Sequence, residues 1–280
     1  MRDIRISVII TSYNQKDYLK KTVDSVINQT VQPYEIIIAD DHSTDGSVEL
    51  IKQYMENHPH LVKAVFQSQN VGIPKNRNSA CQVVSGNFVS ILDGDDLFFP
   101  YTIEKEIEAL QTNPNANCVY SNISYIDSEG DLIGSRDQNA CPSGNIFELI
   151  AANGKGGLLR SMVIDYSMMK EAGFMNESLP KYDGLELTAK LSKMCVFVYI
   201  HTPLVQKREH AASDSKNLKA KEHLHDLRII SGTMSELSVD LPKQTRRKIR
   251  STWQRRIFKW YLRSQYQKLR DVLNPTVSKA

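Results

Sequence analysis

The sequence predicts an α/β fold with a doubly wound, mostly parallel sheet, and three observations carry that prediction. Short apolar runs alternate with stretches of helical periodicity, two of those runs end in clustered acids, and the charge changes sign near residue 240. Ile6 to Thr11 is a near-continuous apolar run, as in a strand covered on both faces. Leu19, Thr22, Val23, Val26 and Ile27 then recur at helical spacing. Glu35 to Ala39 reads as the second strand; Val48, Ile51 and Met55 mark a helix, and Val62 to Phe66 a third strand. The next helix is predicted over Asn76 to Val84, led in by the loop Asn70-Val-Gly-Ile-Pro74, with Lys75 and Arg77 near its start. Phe88 to Leu92 closes the series as a strand.

The acids stand where chemistry is expected. Ile91-Leu-Asp-Gly-Asp-Asp-Leu-Phe-Phe-Pro100 packs Asp93, Asp95 and Asp96 into four positions directly after an apolar strand. Like charges that close cannot all stay ionised without a cation or strong donors beside them, and oxygen ligands select Mg²⁺ or Mn²⁺ over zinc. An Asp-Gly hairpin turn needs only one acid and polar residues after it, whereas Leu97, Phe98 and Phe99 follow here. The second strand likewise runs into Asp40-Asp41-His42-Ser43-Thr44-Asp45. Asp45 is read as a helix cap, Asp40 and Asp41 as ligand contacts. Both clusters fall at the carboxyl ends of strands, where ligands bind in open α/β sheets.

Composition suits a water-soluble enzyme of 280 residues, 41% of them hydrophobic. No run approaches the ~18 apolar residues of a membrane span, and Met1-Arg-Asp-Ile-Arg lacks a signal-peptide core, so no export is expected. Cys81, Cys118, Cys141 and Cys195 are widely spaced, which predicts neither a zinc site nor a disulfide framework, and a reducing compartment. Of the 35 Lys and Arg, 12 lie from Leu241 onward, against one of the 32 Asp and Glu, so residues 1–240 carry −8 and the remainder +11. Laid on a helix from Lys248, Ile249, Trp253, Ile257, Trp260 and Tyr261 share one side, and Arg255, Arg256, Lys259 and Arg263 the other. A basic amphipathic helix of this kind predicts an anionic membrane surface as partner, Trp253, Ile257, Trp260 and Tyr261 entering the interface; the alternative is that this side packs on the body of the protein. Nucleic acid fits poorly, because the body is acidic and no recognition motif accompanies the bases.

Several segments carry a family resemblance. Ile6-Ser-Val-Ile-Ile-Thr-Ser-Tyr-Asn14, Ser25-Val-Ile-Asn-Gln-Thr30, Tyr34-Glu-Ile-Ile-Ile-Ala-Asp-Asp-His-Ser-Thr-Asp-Gly-Ser47, Asn70-Val-Gly with Arg77-Asn78, and Leu92-Asp-Gly-Asp-Asp96 closely resemble the family 2 glycosyltransferases of the GT-A fold. The resemblance is dense to residue 125 and continues through Phe174-Met-Asn-Glu-Ser-Leu-Pro180 and Tyr182-Asp-Gly-Leu-Glu-Leu187; beyond Ser215 no shared motif is found. It implies a Rossmann-like nucleotide-sugar-binding half over residues 1–125, an acceptor half over 126–215 and a helical, basic extension over 216–280. In the family pattern Thr11 and Tyr13 line the nucleotide base, Asp40 bonds its edge, and Arg77 stands near the diphosphate. Asp93 and Asp95 match the Asp-x-Asp pair that holds Mn²⁺ or Mg²⁺, and His210 matches a position near the metal or diphosphate.

The implied reaction moves a sugar from a nucleoside-diphosphate sugar, preferably a UDP-sugar, to a hydroxyl of a saccharide acceptor, inverting the anomeric centre, with a carboxylate as general base. Family members often carry an acidic pair at the base position, where this chain has Tyr182-Asp183-Gly184-Leu185-Glu186; Asp183 is chosen, Glu186 stands second, and helix capping is the competing role of Asp183. Asn153-Gly-Lys-Gly-Gly157 reads as a mobile loop on the acceptor side. A lipid-linked acceptor in cell-surface polysaccharide assembly, and a cytoplasmic location on the inner face of the membrane, follow from the basic tail. Two rival functions are a nucleotidyltransferase, which would carry a Gly-rich basic loop where Thr11-Ser-Tyr-Asn-Gln-Lys16 stands, and a non-catalytic nucleotide-binding subunit, which would have lost its acids.

Overall fold

A computed structural model describes residues 2–136, 141–153, 161–180, 182–210 and 220–273. The first half alternates strand and helix: β1 (Ile6–Ser12), α1 (Lys16–Ile27), β2 (Glu35–Asp40), α2 (Ser47–Asn57), β3 (Val62–Phe66), α3 (Ile73–Cys81) and β4 (Phe88–Asp93). There follow β5 (Leu97–Phe98), α4 (Thr102–Thr112), β6 (Cys118–Ile126), β7 (Leu132–Ser135), α5 (Phe147–Asn153), β8 (Met162–Asp165), α6 (Tyr166–Glu171), α7 (Asp183–Met194), β9 (Phe197–Arg208), α8 (Ala220–Leu237) and α9 (Lys243–Leu273). One sheet takes the order β3-β2-β1-β4-β8-β6-β9-β5, with β7 against β6.

β3, β2, β1 and β4 are parallel, as predicted. Beyond β4 the sheet is mixed: β8 runs antiparallel to both β4 and β6, while β6 and β9 are parallel. β1 is the switch point, since the chain builds outward through β2 and β3 and then returns to its other side with β4. Ligands in such sheets sit at the carboxyl end of that switch. Register decides what stands there: Ser12 is opposite Asp40, and Thr11 is opposite Asp93.

Alternation along β1 and β2 fills two cores. Val8, Ile10, Ile36 and Ile38 pack with α1, α2 and α4 on one face, and Ile9, Ile37 and Ala39 with the α3, α5 and α7 side on the other. α3 starts at Ile73, three residues before the predicted Asn76. Pro74 sits in its first turn, where a missing N–H costs nothing and the fixed φ favours helix. Leu97 and Phe98 form a short strand on β9 (Leu97 opposite Gln206), so the acidic loop does not turn back as a hairpin. All four cysteines are free thiols, three of them buried.

α8 and α9 pack over α5 and α7, and here one expectation is corrected. Ile249 and Trp253 are fully buried, Ile257 and Trp260 lean on the same core, and the Trp253 indole N–H donates to the Ala151 carbonyl at 2.8 Å. Trp260 packs against His223 with the rings tilted and their centroids 3.8 Å apart. Trp253, Ile257 and Trp260 therefore face the protein and not a membrane, the Trp253 indole burying its rings with its N–H satisfied. Among the described residues no helix is long and apolar enough to cross a membrane. The predicted loop at Asn153–Gly157 lies outside the described residues beyond its first position.

Candidate active site

Four strand ends, those of β1, β2, β4 and β9, and two helices meet at the carboxyl edge. β1 delivers Thr11, buried near the strand end, then Ser12, buried with no partner for its hydroxyl among the described residues, then exposed Tyr13. β2 delivers Asp40, fully buried. Its Oδ2 accepts the Ser43 N–H at 2.8 Å, while Oδ1 has no partner among the described residues. Asp41 does not have the ligand role expected of it, because its carboxylate accepts the backbone N–H groups of Val71 (2.7 Å) and Gly72 (2.9 Å) and so ties down the loop leading to α3. Asp45, expected to cap α2, stands one residue before its N-cap, Gly46, and ties the helix start to α1 instead: Oδ1 accepts the N–H and hydroxyl of Ser47, Oδ2 the N–H of Lys16.

At the end of β4, Asp93, Asp95 and Asp96 place ligand oxygens within 4.8 Å of one another. That donor set, all hard oxygen, fits one Mg²⁺ or Mn²⁺. Gly94 makes the close approach possible: a Cβ there would stand 2.6 Å from the Thr11 carbonyl and collide with the Gln15 amide. His210 brings Nε2 to 2.9 Å from Asp95 Oδ2 and stacks on Tyr18 at 4.9 Å. The metal pair and the histidine nominated from sequence are thus together.

Arg77 joins this cluster to α7. Its Nη2 bonds Asp93 Oδ1 and its Nη1 bonds Asp183 Oδ2 at 2.7 Å, all three side chains being largely buried. Lys75, two residues earlier and on another side of α3, is exposed. Arg77 thereby joins Asp183 to the strand-end acids. Glu186 does not join them: the helical turn carries it to α8, where it accepts from Thr233 (3.3 Å) and Asn176 (3.4 Å) and pairs with Lys190 (3.1 Å).

Sequence reading passed over two residues. Ser12, opposite Asp40, has a buried hydroxyl without a partner among the described residues. Arg208, buried at the end of β9, is the larger omission: its N–H donates to Asp96 Oδ1 (2.9 Å), its Nε to the Asp95 carbonyl (3.0 Å), and its Nη1 to the carbonyls of Asp127 and Ser128. The guanidinium also stands 4.9 Å from the Tyr18 ring. One cation thereby fixes the shape of the acidic loop from 112 residues away; the only signal available was its place two residues before His210.

Comparison with known proteins matches residues 7–173 to the family described as Glycosyl transferase family 2. A chondroitin synthase of Escherichia coli is 27% identical over 242 residues, 84% of this chain and 33% of that protein. A putative teichuronic acid biosynthesis glycosyltransferase of Bacillus subtilis, TuaG, is 36% identical over 120 residues, 43% of this chain and 46% of the relative. The chain thus spans about a third to a half of these curated relatives' length. Among solved structures, residues 1–349 of Staphylococcus aureus TarS in complex with UDP-GlcNAc superimpose with a TM-score of 0.74 at 18% identity, over 91% of this chain and 73% of that one.

Proposed function

The chain belongs to glycosyl transferase family 2, and from that premise we propose that it transfers a sugar from a nucleoside-diphosphate sugar, a UDP-sugar by preference, to a hydroxyl of a saccharide acceptor, with inversion and with Mg²⁺ or Mn²⁺. The observation that carries this reading is the convergence of Asp93, Asp95 and Asp183 on one strand edge, the first and last joined by Arg77. Residues 1–125 would supply the donor side and 126–215 the acceptor side, with 216–280 as an extension. Asp40, whose Oδ1 lacks a donor, would take the N–H of the base edge; Thr11, Ser12 and Tyr13 border the same space. Asp93 and Asp95, with His210 beside them, would hold the cation. When bound, such an ion supplies positive charge to the departing diphosphate.

The chain's own groups do the rest. Arg77 adds a fixed cation at the same place and holds Asp183 through Oδ2. Oδ1 of Asp183 has no hydrogen-bond partner among the described residues, and it would accept the proton of the attacking hydroxyl. The sugar carbon then exchanges its bond to the diphosphate oxygen for one to the acceptor oxygen, and a single displacement inverts it. Two relatives bear names of polysaccharide synthesis, which supports a growing glycan as acceptor; the lipid linkage and the inner-face location proposed with it rest on the basic C-terminal extension.

The test is a panel of nucleotide sugars incubated with protein and Mn²⁺, read for free nucleoside diphosphate and a new glycoside by mass spectrometry. Activity should vanish with EDTA and in Asp95→Ala, a variant whose melting temperature should not fall, because one of three crowded acids is gone. Full activity in EDTA would refute the metal; pyrophosphate release from a nucleoside triphosphate and a sugar phosphate would replace glycosyl transfer by nucleotidyl transfer.

A further inference from the structure

α9 commits one side to the protein and leaves the other uncovered in a patterned way. Ile249 and Trp253 are buried, and Ile257 and Trp260 lean on the same core. At 3.6 residues per turn Phe258, Leu262 and Tyr266 fall on the outward side, 61%, 51% and 71% exposed, and Tyr261, 44% exposed, stands at the border between this side and the tryptophan side. Single exposed apolar residues are ordinary; three on successive turns of one helix face, with a fourth at its border, are a patch. Earlier on the same outward side stand Arg247, Lys248 and Arg255, all exposed, and Lys259 borders the patch itself.

We propose that this outward face of α9, and not the tryptophan side, docks the protein on an anionic lipid bilayer, with Phe258, Leu262 and Tyr266 entering the headgroup boundary and Arg255 and Lys259 meeting lipid phosphates. Charge selects this occupant. α9 carries 11 Lys and Arg against one acid, so pairing with the same helix of a second copy would set two strongly positive faces together, whereas a negative surface relieves that field. The remainder of the charge distribution orients the molecule. Residues 1–240 carry −8 and are repelled by the same surface, which leaves the basic helix as the face that approaches. The exposed face offers both parts of such a contact, Phe258, Leu262 and Tyr266 for the headgroup boundary and Arg255 and Lys259 for the phosphates. The inference stands apart from the transfer reading, since it invokes neither donor nor acceptor.

Sedimentation of the full chain with vesicles tests it. Protein should pellet with phosphatidylcholine vesicles containing phosphatidylglycerol, stay in solution with phosphatidylcholine alone, and lose binding as salt rises from ~50 to ~200 mM, because screening acts within a Debye length. Phe258→Ser with Leu262→Ser should weaken binding about tenfold, and Arg255→Glu with Lys259→Glu should abolish the difference between the two lipids. Both variants should keep the wild-type circular dichroism, melting temperature and rate of nucleoside-diphosphate release with a soluble acceptor. Equal pelleting of the serine variant and wild type, or binding indifferent to salt and lipid charge, would overturn the proposal. So would a dimer in light scattering that the serine variant dissociates without any vesicle binding, because the face would then belong to a second copy.

Discussion

The two ends of β2 hold two buried carboxylates that face opposite fates. Glu35, at the amino end, accepts the Ser7 hydroxyl (2.6 Å), the N–H and hydroxyl of Ser85 (both 2.7 Å) and the Lys63 ammonium (2.6 Å). Asp40, at the carboxyl end, accepts one N–H at Oδ2, and its Oδ1 faces no donor among the described residues; nor does the hydroxyl of Ser12 opposite it. Burial alone would raise the Glu35 carboxyl, but the bonds from Lys63, Ser7 and Ser85 outweigh it and bring the pKa down to about 2. Buried polar groups in folded proteins are normally satisfied. An acid whose lone pairs the chain fills is part of the scaffold, and an acid left open at the end of a strand has a lone pair for which the described residues supply no donor.

The largest effect that sharpens this contrast compares two acids one turn apart on α7. If Asp183 is the general base, Asp183→Asn should lower kcat by about 10²–10⁴ with donor KM little changed, as for a group acting in the transition state. Glu186→Gln should leave kcat within a few-fold, because its carboxylate is held by Thr233, Asn176 and Lys190. Steady-state kinetics on the two variants decides the matter, and a collapse of kcat in Glu186→Gln alone would move the base.

Glu35→Gln should do the reverse, sparing kcat and lowering stability. Its folded pKa lies below the ordinary 4.5, so its contribution is complete above pH 4.5 and disappears as pH falls toward 2; by linkage it is on the order of 3 kcal/mol at neutral pH. Urea unfolding should show the gap between variant and parent closing across that acid window. Asp40→Asn is next in size: donor KM should rise about tenfold, the loss of one charge-assisted bond to a base, while the melting temperature holds or rises. A fall in stability like that of Glu35→Gln would place Asp40 with the scaffold instead.

What the sequence made legible was the strand ends. Apolar runs stopping at Asp40 and Asp93 predict both the parallel sheet and the edge where ligands bind, because strand burial and acid exposure are local properties of the chain. Partner choice across long separations was not legible. Asp41 looks like Asp40 until the fold shows its two oxygens filled by Val71 and Gly72. Asp183 and Glu186 are neighbours on a helix wheel, and only the neighbours of α7 send one to Arg77 and the other to Thr233. Periodicity in α9 identified the side bearing Trp253 as apolar but could not say what covers it. Fragments of a second apolar stripe, Phe258 to Tyr266, were masked by bases scattered all round the helix.

Glu106 sets a boundary on the lesson of β2. Wholly buried on α4, with Oε2 unpartnered among the described residues, it resembles Asp40 in being unsatisfied. It sits between Ile103 and Leu110 in the core, away from the strand-end acids, and burial pushes its pKa up to about 8. The carboxyl resolves its isolation by keeping a proton. A raised folded pKa means that its contribution to stability is whole below pH 4.5 and is lost progressively as pH rises to about 8. Glu106→Gln removes that slope, since an amide does not ionise, but it buries two N–H donors at a cost of about 1–3 kcal/mol. The net change at pH 7 should therefore be the smallest of the set, and the readout is the trend: relative to the parent, the variant's urea midpoint should climb between pH 5 and 9. This window does not overlap the acid window of Glu35, so each carboxylate can be followed without the other. A difference that stays flat from pH 5 to 9 would mean that Glu106 is ionised in the folded state, and that an unsatisfied acid inside this core has found a donor after all.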